Sequence, residues 1–188
     1  MWLQWSSAVS VTCNISWDFN LHQIRYWDWS LDASSTNNES TAIFNTAIFD
    51  PTTGFGGNGA YVDITDPSLN PLNVTGRTGG GCVMNGPFVS SSFTVNYPTP
   101  GCLKRDMIPW VMNYFAQKSL VANVVAAKTY TDFAYRLEGI PSFSAPNIHG
   151  SGHFGVGGVL GTLGNAYQSP GGKSPSYQTP SILVLIAV

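Results

Sequence analysis

The chain of 188 residues has little charge, few basic side chains and no long apolar run. Charged residues make up 10% of it, whereas a typical soluble domain carries about 25%. Eight Lys and Arg with a net charge of −2 leave no basic surface for a nucleic acid, so we expect no nucleic-acid partner. No run of about 18 apolar residues occurs, and the apolar stretch 182–188 is too short for a bilayer, so we expect no membrane span.

Histidine and cysteine are also scarce. The three histidines are His22, His149 and His153. Three cysteines allow at most one disulfide bond and leave one thiol over. Cys82 and Cys102 both lie in Gly- and Pro-rich sequence and form the more plausible pair, but free buried thiols fit the sequence about equally well.

Glycine, proline and aromatic residues are abundant instead. The hydrophobic content of 43%, with 13% aromatics, excludes a wholly disordered chain, whereas Gly (20) and Pro (12) predict long loops. Sequons of the type N-x-S/T begin at Asn14, Asn38 and Asn73, and each is a glycosylation site only if the chain enters the secretory pathway. Residues 1–5 lack the basic segment and apolar core of a signal peptide. The localisation therefore stays open.

The first half of the chain has the composition of loops. Residues 33–58 and 71–101 are rich in Ser, Thr, Asn and Gly, with short apolar islands between them. Residues 89–97 could supply a short strand.

Helix signals begin in the second half. Asp106 is suited to cap a helix in which Pro109 occupies the first turn. An Ala- and Val-rich stretch follows at 120–128, and a further helix is expected to begin at Thr131 and to end at Gly139. We find no internal repeat.

The sharpest chemical motif is the pair His149 and His153 in a Gly-rich segment. Histidines four residues apart share one helix face, so both imidazoles can reach one zinc, copper, iron or nickel ion. Gly150 stands where the H-E-x-x-H zinc enzymes have their glutamate, which argues against that class. Gly150 and Gly152 weaken a helix and favour a position at its start. The alternative interpretation is two polar residues in a Gly-rich turn.

Several motifs follow one another in the order of a single family. Residues 148–158 around the histidine pair, with Gly139-Ile140-Pro141 before them, resemble the second copper segment of tyrosinases. Residues 25–33, which contain Tyr-Trp-Asp-Trp, and the stretches 79–88 and 102–106 are similar to further family elements. The chain therefore resembles the tyrosinase copper-binding domain, most of all its fungal secreted members.

The resemblance implies a fold and a site. Family members hold two copper ions, each by three histidines, in a four-helix bundle, and oxidise small phenols or catechols to o-quinones. The first two ligands of the second copper carry over onto His149 and His153. Phe154 and Gly150 would line the pocket, although plain core packing of Phe154 is equally plausible. The expected fold class is mainly α with long irregular loops, little β and an incomplete tyrosinase-like four-helix-bundle core.

The chain also departs from the family. Six ligands are needed and three histidines are present, with Ser6 where a first-copper ligand is expected and His22 at no family ligand position. We expect a degenerate segment at 1–24, a partial copper-binding domain at 25–170 and an unrelated tail at 171–188, as in a truncated or mis-spliced product.

A function follows from this incomplete ligand set. We expect at most one weakly bound copper and no activity of the chain as it stands. The alternative is a non-catalytic metal-binding remnant or a structural protein. Because glycine offers no side-chain donor or acceptor, Gly150 favours catechol or aminophenol oxidation over phenol hydroxylation in a complete site. The sequence does not indicate an oligomeric state.

Overall fold

The computed structural model describes residues 27–95, 100–138 and 148–164. These residues are mostly helical with little β structure, as expected. The helices are α1 (Pro109–Phe115), α2 (Lys118–Val125), α3 (Tyr130–Glu138) and α4 (Ile148–Gly150), which continues as the π-helical segment Ser151–Val156. Strands β1 (Gly59–Tyr61) and β2 (Gly80–Val83) form an antiparallel two-stranded sheet.

Helix α1 begins as its proline predicts, but its predicted cap is wrong. Pro109 occupies the first turn, where a missing N–H costs nothing. The N-cap position belongs to Ile108, which has no side chain able to cap. Asp106 is instead fully buried and forms an ion pair with Arg77, 29 residues upstream. A charged partner and backbone donors elsewhere outcompete the helix end for its carboxylate.

The apolar islands of the predicted first loop form short 3-10 helices. Thr41–Phe44 buries Ile43, and Ala47–Phe49 buries Phe49. A third 3-10 helix, Trp29–Leu31, is capped by the preceding aspartate. The loop prediction for 33–58 was therefore too coarse, because short apolar clusters gain enough burial to fold locally.

One apolar core joins these 3-10 helices to α1–α4. Its fully or nearly fully buried members come from the 3-10 helices Trp29–Leu31 and Thr41–Phe44, from α1 and its C-cap, and from α2, α3 and α4: Trp29, Ile43, Met112, Ala116, Val124, Leu137 and Ile148. The buried amide of Asn113 donates to the carbonyls of Asn38 and Ser40, both at 2.8 Å, and accepts from the N–H of Ser34. This side chain attaches the N-terminal 3-10 region to α1.

The Cys82–Cys102 pair forms a disulfide bond, with Cα atoms 5.6 Å apart. The strand expected at 89–97 is wrong for its described part. The N–H groups of Ser92 and Phe93 both donate to the carbonyl of Val89, which closes a turn, and Val95 makes only an isolated bridge. Residues 96–99 lie outside the described residues.

Helices α2 and α3 occur where the sequence indicated them, with shifted ends. Helix α2, Lys118–Val125, includes the first part of the Ala- and Val-rich stretch 120–128, and α3 begins at Tyr130 rather than at Thr131. The hydroxyl of Thr129 accepts a hydrogen bond from the N–H of Asp132 and so caps α3. The predicted stop at Gly139 lies outside the described residues. None of the described helices has the length and apolarity needed to cross a membrane.

Candidate metal centre

His149 and His153 lie on one face of the helix that begins at Ile148, as the i, i+4 spacing predicts. Their rings stack at 4.7 Å between centroids with an interplanar angle of 26°. The two Nε2 atoms are 2.8 Å apart. Both side chains are partly buried, so the pair is reachable from solvent without being fully hydrated.

The other nitrogen of each ring is held by an oxygen. Nδ1 of His149 lies 2.8 Å from Oε1 of Glu138, at the last residue of α3. Nδ1 of His153 lies 2.7 Å from the carbonyl oxygen of Leu163. Outer partners of this kind fix the orientation of imidazoles that bind metals.

These partners also fix the tautomers. A carbonyl oxygen and an ionised carboxylate can only accept, so each Nδ1 must donate its proton outward. In the neutral rings, both Nε2 atoms then present lone pairs toward each other. Two lone pairs at 2.8 Å repel unless a proton or another cation lies between them. The arrangement is therefore suited to a cation shared by His149 and His153.

The surroundings of His153 disfavour its protonation. Burial lowers the pKa of His153 below its usual range, and the charge of a protonated His149 lowers it further. The hydrogen bond to Leu163 and the carboxylate of Glu138 oppose this shift but do not cancel it. A neutral His153 keeps its Nε2 lone pair available for a metal ion.

The chain that follows His153 is held by the segment before α1. N–H groups of Asp106 and Ile108 donate to the carbonyls of Val156 and Gly155. The Asp106 carboxylate accepts from the N–H groups of Val159 and Leu160, each at 3.1 Å. This segment, residues 104–108, thus fixes the turn that carries the Leu163 carbonyl to His153.

Glycine lets the helices approach closely at this point. A β-carbon added to Gly155 would overlap Cγ and Sδ of the buried Met112 in α1. Gly158 has φ +56°, and a β-carbon there would overlap the Asp106 carbonyl. The Gly-rich composition after His153 is therefore required by packing against α1 and residues 104–108.

The remaining predicted site residues are placed less tightly. Phe154 is 36% exposed and lies next to His153 in sequence, outside the buried core, so a pocket role stays a prediction. Gly150 ends α4, directly after His149. His22 lies outside the described residues.

The histidine pair has no third protein ligand among residues 27–95, 100–138 and 148–164: no group of three or more His, Cys, Asp or Glu that could hold a metal ion occurs there. The two imidazoles fit part of a copper coordination shell. Glu138 contacts His149 at Nδ1 and would hold that ring rather than a metal ion.

Sequence reasoning missed Glu138 and the Arg77–Asp106 pair. Glu138 lies 11 residues before His149 on a different helix, so no periodicity connects them. The buried Arg105 was missed as well. Its guanidinium donates to the carbonyls of Phe55, Gly56 and Gly57, and burial lowers its pKa to about 10. A Lys-Arg-Asp run in a sequence with so few charges was the available signal.

Two converging imidazoles on a helical scaffold form a candidate metal centre, and comparison with known proteins identifies the family of the chain. The family model described as the common central domain of tyrosinase matches residues 4–171. The chain belongs to the tyrosinase family.

Individual relatives agree with this assignment. Oxidase hkm6 of Aspergillus hancockii is 28% identical over 197 residues, covering 90% of this chain and 63% of that protein. N-acetyl-6-hydroxytryptophan oxidase ivoB of Emericella nidulans is 28% identical over 191 residues, covering 88% and 50%. Tyrosinase P of Aspergillus terreus is 24% identical over 182 residues, covering 84% and 47%.

A solved structure shares the fold. A variant of polyphenol oxidase from Thermothelomyces thermophila superposes with a TM-score of 0.57 at 25% identity. The match covers 87% of this chain and 44% of that one. The chain thus spans between 44% and 63% of the length of the relatives named here.

Proposed function

We propose that His149 and His153 form a copper-binding half-site, equivalent to part of the second copper site of tyrosinase-type phenol oxidases. The observation that carries this proposal is the convergence of the two Nε2 atoms at 2.8 Å while an oxygen lies within 2.8 Å of each Nδ1 atom. Imidazole nitrogen is a preferred ligand of copper. Family membership favours copper over the other metals that imidazole binds.

The family context supports a phenolic substrate. Three of the relatives are named as a tyrosinase, a polyphenol oxidase and an N-acetyl-6-hydroxytryptophan oxidase. Bound copper in such a site supplies the redox chemistry that converts a phenol or catechol to an o-quinone. The chain's own residues orient the ligands: Glu138 holds His149, and the Leu163 carbonyl holds His153. In this proposal, α1, α3 and the His149–His153 helix are elements of an incomplete four-helix-bundle core.

We further propose that this chain does not oxidise phenols by itself. A coupled pair of coppers needs six imidazoles, and the 188 residues contain three. One copper, held by two histidines with water at the remaining positions, would exchange readily. The alternative function is a non-catalytic metal-binding or structural protein, which is favoured by the same shortage of ligands.

Gly150 bears on substrate choice in any longer protein that completes the site. Since glycine has no polar side chain, it cannot help to orient a water that deprotonates a monophenol. Oxidation of catechols or aminophenols is then favoured over hydroxylation of phenols. A complete protein that hydroxylated monophenols as fast as it oxidised catechols would refute this preference.

Copper stoichiometry tests the half-site. The purified chain is equilibrated with Cu(II), freed of loosely bound metal and analysed by mass spectrometry of the metal and by electron paramagnetic resonance. We expect at most one copper per chain and no oxygen consumption with catechol. Substitution of either histidine, His149→Ala or His153→Ala, should weaken copper binding by about tenfold or more.

The third histidine provides the matched control. His22→Ala removes the same side chain at a position that we assign no role in metal binding, and it should leave copper binding unchanged. Equal binding by all three variants would refute the site. Two coppers per chain together with catechol turnover would refute the proposed inactivity.

A further inference from the structure

Residues 70–76, on the surface, contain a candidate modification site that is independent of the copper proposal. Asn73-Val74-Thr75 is an N-x-T sequon in which Asn73 and Thr75 are both exposed. Asn73 has φ +49°, in the left-handed region that asparagine tolerates better than most residues. Its N–H donates to the Asn70 carbonyl at 2.9 Å and closes the turn.

Other residues hold the backbone of this sequon. The amide of Asn70 both accepts from the N–H of Val74 at 2.9 Å and donates to its carbonyl at 3.0 Å. Nε1 of Trp110 donates to the Thr75 carbonyl at 2.8 Å. Neither the Asn73 amide nor the Thr75 hydroxyl hydrogen-bonds to any other described residue. Both side chains can therefore be modified or left exposed without disturbing the turn.

The disulfide supplies the second, independent observation. The Cys82–Cys102 bond requires an oxidising environment, such as the secretory pathway, where sequons are also glycosylated. We propose that Asn73 carries an N-linked oligosaccharide, which shields the exposed side chains of Leu69 and Leu72.

The modification is a balanced group transfer. Nδ2 of Asn73 bonds to the anomeric carbon of an oligosaccharide carried on a lipid diphosphate. The bond between that carbon and the diphosphate oxygen breaks, the lipid diphosphate leaves, and the amide nitrogen gives up one proton. The Thr75 hydroxyl completes the motif that the transferase recognises.

The neighbouring side chains indicate what the sugar would cover. Leu69, the last residue of the 3-10 helix Pro67–Leu69, is 53% exposed, and Leu72, in the turn that Asn73 closes, is 73% exposed. Exposed apolar side chains close together favour association between molecules. A hydrated glycan on Asn73 would keep other chains away from these two leucines.

Peptide mapping tests the modification. The chain is expressed behind a secretory leader in a eukaryotic host, and peptides containing Asn73 are analysed before and after peptide N-glycosidase. We expect a mass increase on this peptide that the enzyme removes, leaving aspartate at position 73. The increase should vanish in Thr75→Ala and in Asn73→Asp, and it should persist in Thr75→Ser, which keeps the hydroxyl.

Two features keep this test decisive. Asn38→Gln removes another sequon and should leave the Asn73 peptide modified. Because the Trp110 bond reaches the Thr75 backbone, Thr75→Ala should fold as the parent does. Secreted chain with a closed Cys82–Cys102 bond and an unmodified Asn73 would overturn the proposal.

The shielding is tested on the folded protein. Removal of the sugar should raise the rate of aggregation, and the double variant Leu69→Ser, Leu72→Ser should lose that difference. Equal aggregation of the glycosylated and deglycosylated forms would overturn the shielding.

Discussion

Asp106 and the His149–His153 pair are both polar centres, yet their surroundings differ. The carboxylate of Asp106 is fully buried and accepts from Nε of Arg77 and from three backbone N–H groups, of Gly79, Val159 and Leu160. Each histidine is only partly buried and has one oxygen partner, at Nδ1. The first centre has its hydrogen-bonding capacity filled by the protein, whereas the second leaves two Nε2 atoms facing each other.

This difference separates a structural centre from the proposed copper-binding centre. A buried carboxylate with a charged partner and several donors holds chain segments together. Two acceptors without a donor between them gain from an external cation. We therefore expect substitution of Asp106 to lower the free energy of unfolding of the protein. We expect changes around His149 to lower its affinity for copper.

Of the changes that test this comparison, loss of the Asp106 carboxylate should have the largest effect on stability. Asp106→Ala leaves Arg77 without its partner and three N–H groups without an acceptor, and should lower the free energy of unfolding by about 3–5 kcal/mol. Urea denaturation measures the change. The variant Asp132→Ala, in a partly exposed ion pair, serves as control. A loss below about 1 kcal/mol, as for a surface pair, would contradict the structural role.

The disulfide should have the next largest effect. The double variant Cys82→Ser, Cys102→Ser opens a link between residues 20 apart and should cost about 2–4 kcal/mol. The parent protein under reducing conditions should melt like the double variant. If reduction leaves the unfolding midpoint unchanged, the bond does not stabilise the region around β2.

The substitution Glu138→Gln tests the histidine pair, through its affinity for copper. The amide cannot hold the Nδ1 proton of His149 as a carboxylate does, so copper affinity should fall about 10–100-fold. Folding stability should change little, because the Glu138 side chain is 37% exposed. Calorimetric titration with Cu(II) gives the affinity, and Glu39→Gln controls for loss of an exposed carboxylate. An unchanged affinity would exclude a positioning role for Glu138.

The smallest effect is expected at the helix surface. Asp132 and Arg136 form an i, i+4 ion pair at 2.7 Å, with side chains 39% and 31% exposed. Solvent screens such a pair, and Asp132→Asn should cost about 0.5 kcal/mol or less. Thermal unfolding at low and high salt should show the difference shrinking as salt rises. A cost comparable with that of Asp106→Ala would remove the distinction between buried and surface charge.

Sequence patterns correctly predicted features that depend on residues near one another in the chain. The spacing of His149 and His153 placed both rings on one helix face, and Pro109 marked the start of α1. Cys82 and Cys102 were the preferred pair. In contrast, Asp106 was wrongly predicted as a helix cap. Its actual partner, Arg77, is 29 residues away, so no local pattern indicated the ion pair. Glu138 was missed because its contact with His149 depends on how two helices are placed in space.

The close contact between Gly155 and the buried Met112 makes oxidation of Met112 a marker of local opening of the structure. The Met112 thioether is fully buried, whereas Met84 is 68% exposed, so a soluble oxidant should reach the second and not the first. Sulfoxide formation adds an oxygen for which the Gly155 contact leaves no room. Any sulfoxide at Met112 therefore dates from a moment when α1 had separated from the helix that carries the histidines.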